Sequence, residues 1–577
     1  MGVVETRKLS SSSDVSGEFR RFAMACDTIK ANRSKLEKVR ILSEYLSSLS
    51  YDKDLKIAAT YLSGRVFPPG ETDQEANVGY STLWNVIADI TNSKDAEISG
   101  FYRKHGDLGS ALEDVIAQKM STPGYKESGN LVHTLVKKIL TLSDIYASFS
   151  ELSRSVGSHS QERKQQILKG LFSNITTASE AKYIVKILTN EMRIGLVEGL
   201  LEEAIAKAFS KNLGEVRMAN LILANAGLVA IQARNGKLGD AKLAPLRPTN
   251  FMLADTAETA ELLFGKFKSS PVYSEYKYDG IRAQLHKHDG RIRIFSRNLA
   301  DVTRFFPELE KAARRLGQHG LIFDGEIIAF DDGKPLSFQL LQRRLRKIAH
   351  SEGDAPIRYM IFDLLFSKNL SLIQEPLKKR VELLRSLEVP STIMGFSEIR
   401  SVSTSQEISD MFVESKGLGY EGLVVKEPSS PYTPGRRGSN WVKLKKELDT
   451  LDVVVVAAEY GHGKRVGVIS DYTFAVRDGP DLKVVGKAYS GLTDAEIDEM
   501  TEIMKNTTIL DQGYRRTVKP RVVLEVAFDA IQKSDRHDGG FALRFPRIKR
   551  IRYDKSINEI DGIEKVEKIY EAQKVKI

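Results

Sequence analysis

Glu275-Tyr276-Lys277-Tyr278-Asp279-Gly280-Ile281-Arg282 is the stretch on which the reading of this chain turns. The apolar run 272–276 predicts a strand, and Asp279-Gly280 directly after Lys277 predicts a turn. A lysine at that junction presents its amine to whatever pocket the strand opens into. Protonated lysine is a poor nucleophile, and desolvation or neighbouring cations favour the neutral amine, which is a good one. A solvated lysine beside a surface turn would look the same over so short a window. The surrounding sequence has to decide.

Downstream lies an ordered series of segments. Phe295-Ser296-Arg297-Asn298 follows a short alternating run. Phe323-Asp324-Gly325-Glu326-Ile327-Ile328 predicts a strand, and the unbroken apolar run Tyr359-Met360-Ile361-Phe362-Asp363-Leu364-Leu365 predicts a buried one. Then come Glu421-Gly422-Leu423-Val424-Val425-Lys426 and Trp441-Val442-Lys443-Leu444-Lys445, where alternation puts Lys443 and Lys445 on one face. Leu543-Arg544-Phe545-Pro546-Arg547 closes the set. Together with K-x-D-G-x-R at Lys277, the series resembles the covalent nucleotidyltransferases: DNA ligases, RNA ligases and capping enzymes. Pro434-Gly435-Arg436-Arg437-Gly438, the Leu543-Arg547 segment and Asn190-Glu191-Met192-Arg193-Ile194-Gly195 are similar to the ATP-dependent DNA ligases of the archaeal and eukaryotic replicative type. NAD-dependent ligases carry a four-cysteine zinc module, and this chain has the single cysteine Cys26. Capping enzymes lack a large helical module ahead of the lysine.

The resemblance implies three domains. Residues 1–240 would be an all-α DNA-binding domain, 241–445 an α+β nucleotidyltransferase (adenylation) domain, and 446–577 a β-barrel of the OB type. The residues agree. Ala181, Ile184, Val185, Leu188 and Met192 follow helical spacing with Gly195 at the expected C-cap, and 200–209 is a second amphipathic stretch. Gly236-Lys237-Leu238-Gly239-Asp240 and Pro245 to Pro248 mark a linker. Beyond Asp449 strands are expected at 452–458, 471–476, 483–485 and 521–528, with helices at 494–504 and 557–570. That content suits a small closed barrel.

The activity implied is sealing of 5′-phosphate/3′-hydroxyl nicks in duplex DNA, through a Lys277-AMP intermediate and then an adenylated DNA. Phosphoryl-type transfer needs positioning and charge stabilisation more than general bases, which fits motifs rich in cations. By resemblance Lys443 and Lys445 approach the α-phosphate, where cations stabilise its charge. Phe362 stacks on adenine, Glu275 lies beside it, and Glu326 accepts from a ribose hydroxyl. Arg282, Arg297 and Arg437 are expected at the nucleotide or the nick phosphate, since a guanidinium fork suits phosphate oxygens. Glu421, with Glu326, would hold a divalent metal, Mg²⁺ by its preference for hard oxygen ligands, with Mn²⁺ as the alternative. Arg544 and Arg547 would orient the departing pyrophosphate. The competing readings are an RNA-directed ligase or guanylyltransferase using the same lysine, and a catalytically silent DNA clamp.

Composition sets outer bounds. The chain has 577 residues, 41% hydrophobic and 28% charged, with a net charge of +10 and a pI near 9.2, a mild lean toward polyanionic partners. No apolar run is long enough for a membrane span. The opening Met1-Gly2-Val3-Val4-Glu5-Thr6 fits a myristoylation pattern but runs into Ser10-Ser11-Ser12-Ser13, so a frayed terminus is the expectation. An intracellular monomer is expected. The basic runs Arg343-Arg344-Leu345-Arg346-Lys347 and 544–555 are candidate DNA-backbone contacts. Gln118-Lys119-Met120-Ser121 is the nearest approach to a sliding-clamp motif, and it lacks the paired aromatics.

Overall fold

The computed structural model describes residues 17–574, apart from 71–75, 77, 122–137, 269, 347–354, 391, 436, 446–448, 462–464 and 466. The N-terminal region is helical from Phe19 to Arg234. Its central helix, Ala178–Leu188, starts with a capping box between Thr177 and Glu180. Every residue from Glu180 to Leu188 is buried, so the helix is enclosed all round instead of amphipathic. Its two central lysines therefore need acids. Lys186 pairs with Asp107 at 2.7 Å, and Lys182 with Asp27 and Glu113 at 2.6 Å each. The helix ends at Leu188, before the expected Met192–Gly195. Asn190, Arg193 and Gly195 all take positive φ in a loop, whose carbonyls at Ile194 and Gly195 accept from buried Lys38 at 3.1 Å. No helix among the described residues is long and apolar enough to cross a membrane.

The middle region is built from two sheets. One has the order β1 (Leu253–Ala257), β12 (Arg437–Lys445), β11 (Gly422–Lys426), β2 (Val272–Lys277), β10 (Ile399–Val402). The other runs β4 (Arg291–Ser296), β3 (Ile281–His288), β5 (Gly320–Asp331), β7 (Ile357–Ser367), β8 (Leu370–Ser371), with β6 (Lys334–Pro335) against β5 and β9 (Met394–Phe396) against β7. The period of two separates each strand's residues. In the first sheet Tyr276, Leu423, Val425, Val442 and Leu444 join a core with Leu263, Ile408 and Met411. In the second, Ala283, Leu285, Ile294, Phe323 and Tyr359 form another core. The alternate residues, polar and aromatic, are left to the cleft that holds Lys277.

The linker is pinned to β3. Burial drives His286 down to about 3, so its ring is neutral and Nδ1 accepts from Leu246 N at 3.1 Å. Gln284 exchanges two bonds with Thr249, at 3.1 and 2.9 Å, and Arg282 donates to Met252 O at 2.7 Å. Thr249 also donates to Leu221 O at 3.0 Å, which ties the helical region to the same segment.

Beyond Asp449 a seven-stranded sheet forms around β13 (Asp449–Tyr460), which pairs with β14 (Ile469–Asp478), β17 (Arg515–Val518) and β18 (Val523–Phe528). It also holds β15 (Asp481–Ala488), β16 (Thr508–Asp511) and β21 (Arg547–Ile551); β19 (Ala530–Lys533) and β20 (Phe541–Arg544) make a separate hairpin. The sheet curls into a half-barrel. A single backbone bond, Ile548 N to Ser490 O at 2.9 Å, brings β21 to the end of β15 where a closed barrel would have a ladder. Helix Asp494–Asn506 falls where expected, whereas the terminal helix starts at Ile563, after a short turn at Ile557–Glu559.

Several described cations of the two basic runs are paired within the protein. Arg344 is buried, bonded to Glu308 and to Phe305 O at 2.7 Å. The side chains of Arg343 and Arg346, and all of Lys347, lie outside the described residues. In the second run Arg550 pairs with Glu525 at 2.7 Å, and Arg552 and Lys555 with Asp452 at 2.9 and 2.6 Å. For these described cations the partner acids are distant in sequence. The N-terminal hexapeptide and serine run lie outside the described residues.

Arg380 and Asp363 form a fully buried pair at 2.7 Å, joining helix Leu377–Arg385 to β7. Arg380→Leu strands a carboxylate, so it should cost about 3–5 kcal/mol. Arg380→Leu with Asp363→Leu should regain most of that loss. Denaturant unfolding followed through Trp441 fluorescence, with Trp84 replaced by phenylalanine, reads both.

Candidate active site around Lys277

Lys277 is the last residue of β2, and its amine forms an ion pair with the Glu421 carboxylate. The backbones meet as well: Glu421 N donates to Lys277 O at 2.9 Å. Two glycines make this approach possible. Gly422 stands opposite both Lys277 and Lys445, and a Cβ there would strike Leu444 O at a φ of +149. Gly280, in the turn after the lysine, has Ile327 O and the Glu326 side chain where a Cβ would stand. Tyr420 fixes the pair from the side. Its ring stacks on Tyr276 at 5.1 Å and meets Tyr278 edge-on at 5.1 Å, so the two residues flanking Lys277 clasp the residue before Glu421.

Register places the next rungs. Glu275, Val424 and Lys443 lie opposite one another, as do Tyr273, Lys426 and Trp441. Glu275 is buried and ion-paired with Lys426, whose ammonium sits 4.1 Å from the Trp441 ring centre and 4.4 Å from that of Phe362. Burial raises the Glu275 carboxyl above its ordinary value, and Lys426 pulls the other way. Glu275 Oε2 and Trp441 Nε1 are both buried and lack a hydrogen-bond partner. Orphaned polar atoms of this kind want a ligand or water.

The second sheet faces them. Arg282 on β3 is opposite Glu326 on β5. Its Nε and Nη2 bond Asp324 at 3.1 and 2.7 Å, and its guanidinium lies 5.0, 5.4 and 5.5 Å from the rings of Phe251, Phe362 and Trp441. Arg282 is thus held by protein groups, with one hydrogen left on each terminal nitrogen. Phe362 is 8% exposed and edge-on to Trp441. Glu326 is only partly covered, yet desolvation lifts it to about 8; Asp324 and Glu421 push it further up, while Lys277 and Arg282 oppose them. Lys277, Arg282, Glu326 and Glu421 therefore share one electrostatic neighbourhood. Two carboxylates facing a cleft suit Mg²⁺, which takes one or two of them and fills its shell with water and phosphate oxygens.

The other expected residues lie apart or outside the description. Arg297 is exposed in the turn after β4. Arg437 opens β12 opposite Leu253, and the side chains of Arg437 and Lys445, with all of Arg436, are outside the described residues. Arg544 rests on Phe338 at 5.4 Å and on Phe545 at 5.1 Å, and Arg547 is exposed. Among the described residues, neither arginine has a hydrogen bond or ion pair to the groups around Lys277. Sequence reasoning assigned no role to Asp324, Lys426, Tyr432 or Met252. The first two sit inside motifs already quoted. Tyr432 and Met252 carry no local signal, because only tertiary contact brings them here.

Three family models match in the expected order: DNA ligase N terminus over 18–206, ATP dependent DNA ligase domain over 251–445, and ATP dependent DNA ligase C terminal region over 465–555. A probable DNA ligase of Koribacter versatilis is 40% identical over 96% of this chain and 96% of its own length. A DNA ligase of Archaeoglobus fulgidus is 34% identical over 96% and 99%. The solved structure described as Pmar-Lig_PreS3, 17% identical, covers 92% of this chain and 99% of its own with a TM-score of 0.55, a likeness of fold. Identity extending over 96% of the chain and three domain matches in order place it in the family of ATP-dependent DNA ligases, whose general activity is nick sealing through an adenylated intermediate.

Proposed function

We propose that Lys277 is the residue that carries AMP. The observation behind this reading is the amine at the end of β2, set among Glu421, Glu326 and Arg282, beside a pocket whose Glu275 and Trp441 polar atoms are unsatisfied. In the first step Lys277 Nζ, neutral once its ammonium proton has passed to solvent, attacks the α-phosphorus of ATP in line; the bond to pyrophosphate breaks, and the second proton of the attacking amine leaves with the pyrophosphate. Glu421 holds the amine in place by its hydrogen bond. Next an oxygen of the 5′-phosphate at the nick attacks the same phosphorus, and Lys277 departs. Finally the 3′-hydroxyl attacks the activated 5′-phosphate, and AMP leaves.

Adenine fits against Phe362, with Glu275 beside it and Glu326 toward the ribose. Lys443 and Lys445 serve the α-phosphate, and Arg282, Arg297 and Arg437 the nucleotide or the nick phosphate. Glu326 and Glu421 would hold Mg²⁺, which supplies charge stabilisation at phosphate oxygens when bound. The helical region, 1–240, grips the duplex without reading its sequence. Arg544 and Arg547 act from the half-barrel, which must first close over ATP and then withdraw for DNA.

With labelled ATP, wild type should take covalent label and Lys277→Ala none. Lys277→Arg should be equally inert, since a guanidinium stays protonated. Label in either variant would move the nucleophile elsewhere, and labelling by GTP in place of ATP would favour a guanylyltransferase.

The Glu326 carboxyl, raised to about 8, binds its proton more tightly folded than unfolded. The stability this confers is complete below the ordinary carboxylate value and lost as pH rises through 8. From pH 5 to pH 8.5, without metal or nucleotide, wild type should lose a few degrees more of apparent Tm than Glu326→Gln. Parallel melting curves across that range would show Glu326 to be an ordinary carboxylate.

Arg544→Ala and Arg547→Ala should slow adenylation at least about tenfold, as for loss of a charge-stabilising group. On nicks already carrying AMP they should seal at nearly the wild-type rate. Equal defects on both substrates would make the two arginines plain DNA contacts.

A further inference from the structure

Tyr432 lies in the segment between β11 and β12, 1% exposed, and belongs to no motif quoted above. Its hydroxyl donates to Asp324 Oδ2 at 2.8 Å and accepts from Met252 N at 3.0 Å. Asp324 takes both ends of the Arg282 fork, and Arg282 Nη1 donates to Met252 O. The bonds close a ring: Tyr432 hydroxyl, Asp324 carboxylate, Arg282 guanidinium, Met252 peptide, and back to Tyr432. Three separate parts of the chain meet in it, namely the linker at Met252, the second sheet at Arg282 and Asp324, and the β11–β12 connection at Tyr432. The phenol ring is fixed edge-on against Trp441 at 5.8 Å, with Arg380 6.0 Å from its centre. Burial and the Asp324 charge raise the phenol well above its ordinary value, so the hydroxyl keeps the proton it donates.

We propose that Tyr432 is a positioning residue for nucleotidyl transfer, which sets the Arg282 fork toward the cleft by closing this ring through Asp324 and Met252. Without the hydroxyl, Asp324 loses a donor and Met252 N an acceptor. Asp324 is then free to turn, and the guanidinium it holds on two nitrogens turns with it. The two unspent Arg282 hydrogens, next to Glu326 in register, cease to point where a phosphate or ribose oxygen would sit. A misplacement of this size costs rate more than binding. The inference rests on Lys277 adenylation as proposed above.

The test is a double-mutant cycle read by single-turnover Lys277-AMP formation in the full chain. Tyr432→Phe keeps the ring and removes only the hydroxyl, and should slow the step about 10-fold while KM for ATP changes less than about 3-fold. Arg282→Lys should slow it at least as much, and the double variant no further than Arg282→Lys alone, because both act through one guanidinium. Asp324→Asn should behave as Tyr432→Phe does, which covers the case where that variant does not fold. A wild-type rate in Tyr432→Phe, or defects that multiply in the double variant, would overturn the assignment of Tyr432 alone. Wild-type protein that takes no label from ATP would bring down the Lys277 reading and this inference together.

Discussion

Charge removed from water has to meet its opposite, and that requirement lays out the middle of this molecule. Arg282 is held by Asp324 within the second sheet, Lys426 by Glu275 within the first, and Arg380 joins a helix to β7 through Asp363. Each pair ties its own layer. Hydrophobic cores on the outer faces stabilise the layers without fixing how they face each other. The paired cations do that by reaching rings across the cleft: Lys426 lies 4.4 Å from Phe362 and Arg282 5.5 Å from Trp441, while the Tyr432 hydroxyl bonds Asp324.

Much of this was legible in the chain. Lys277 at the end of a strand and the buried run at Phe362 follow from turn chemistry and periodicity. Other features depend on partners that no local window contains. The spacing of Ala181, Ile184, Val185, Leu188 and Met192 shows one apolar face of helix Ala178–Leu188, but not that Asp27, Asp107 and Glu113 come from elsewhere in the chain to pair with its buried lysines. Pairing within the basic runs is hidden for the same reason. Arg344 finds Glu308, and Arg552 finds Asp452 a hundred residues upstream. The half-barrel could be foreseen from strand content, but its open edge could not, since closure depends on register between the first and last strands.

The cleft also shows why arginine and lysine are divided as they are. Arg282 occupies a place where a planar fork can bind Asp324 twice and still lie against aromatic rings. Lys277, in the role proposed for it, needs a compact amine at the end of a flexible stem, able to leave Glu421 and bond to phosphorus. Exchanging the two would lose shape in one case and chemistry in the other.

The linker's attachment to β3 has a mechanical consequence. Leu246, Thr249 and Met252 are hung on His286, Gln284 and Arg282, three successive cleft-side residues of a single strand. Slack that a free linker would allow is taken up, rung by rung. A tug on the helical layer is delivered to β3 as a pull along its length, ending beside Lys277. The two regions behave less like beads on a string than like a handle riveted to its blade.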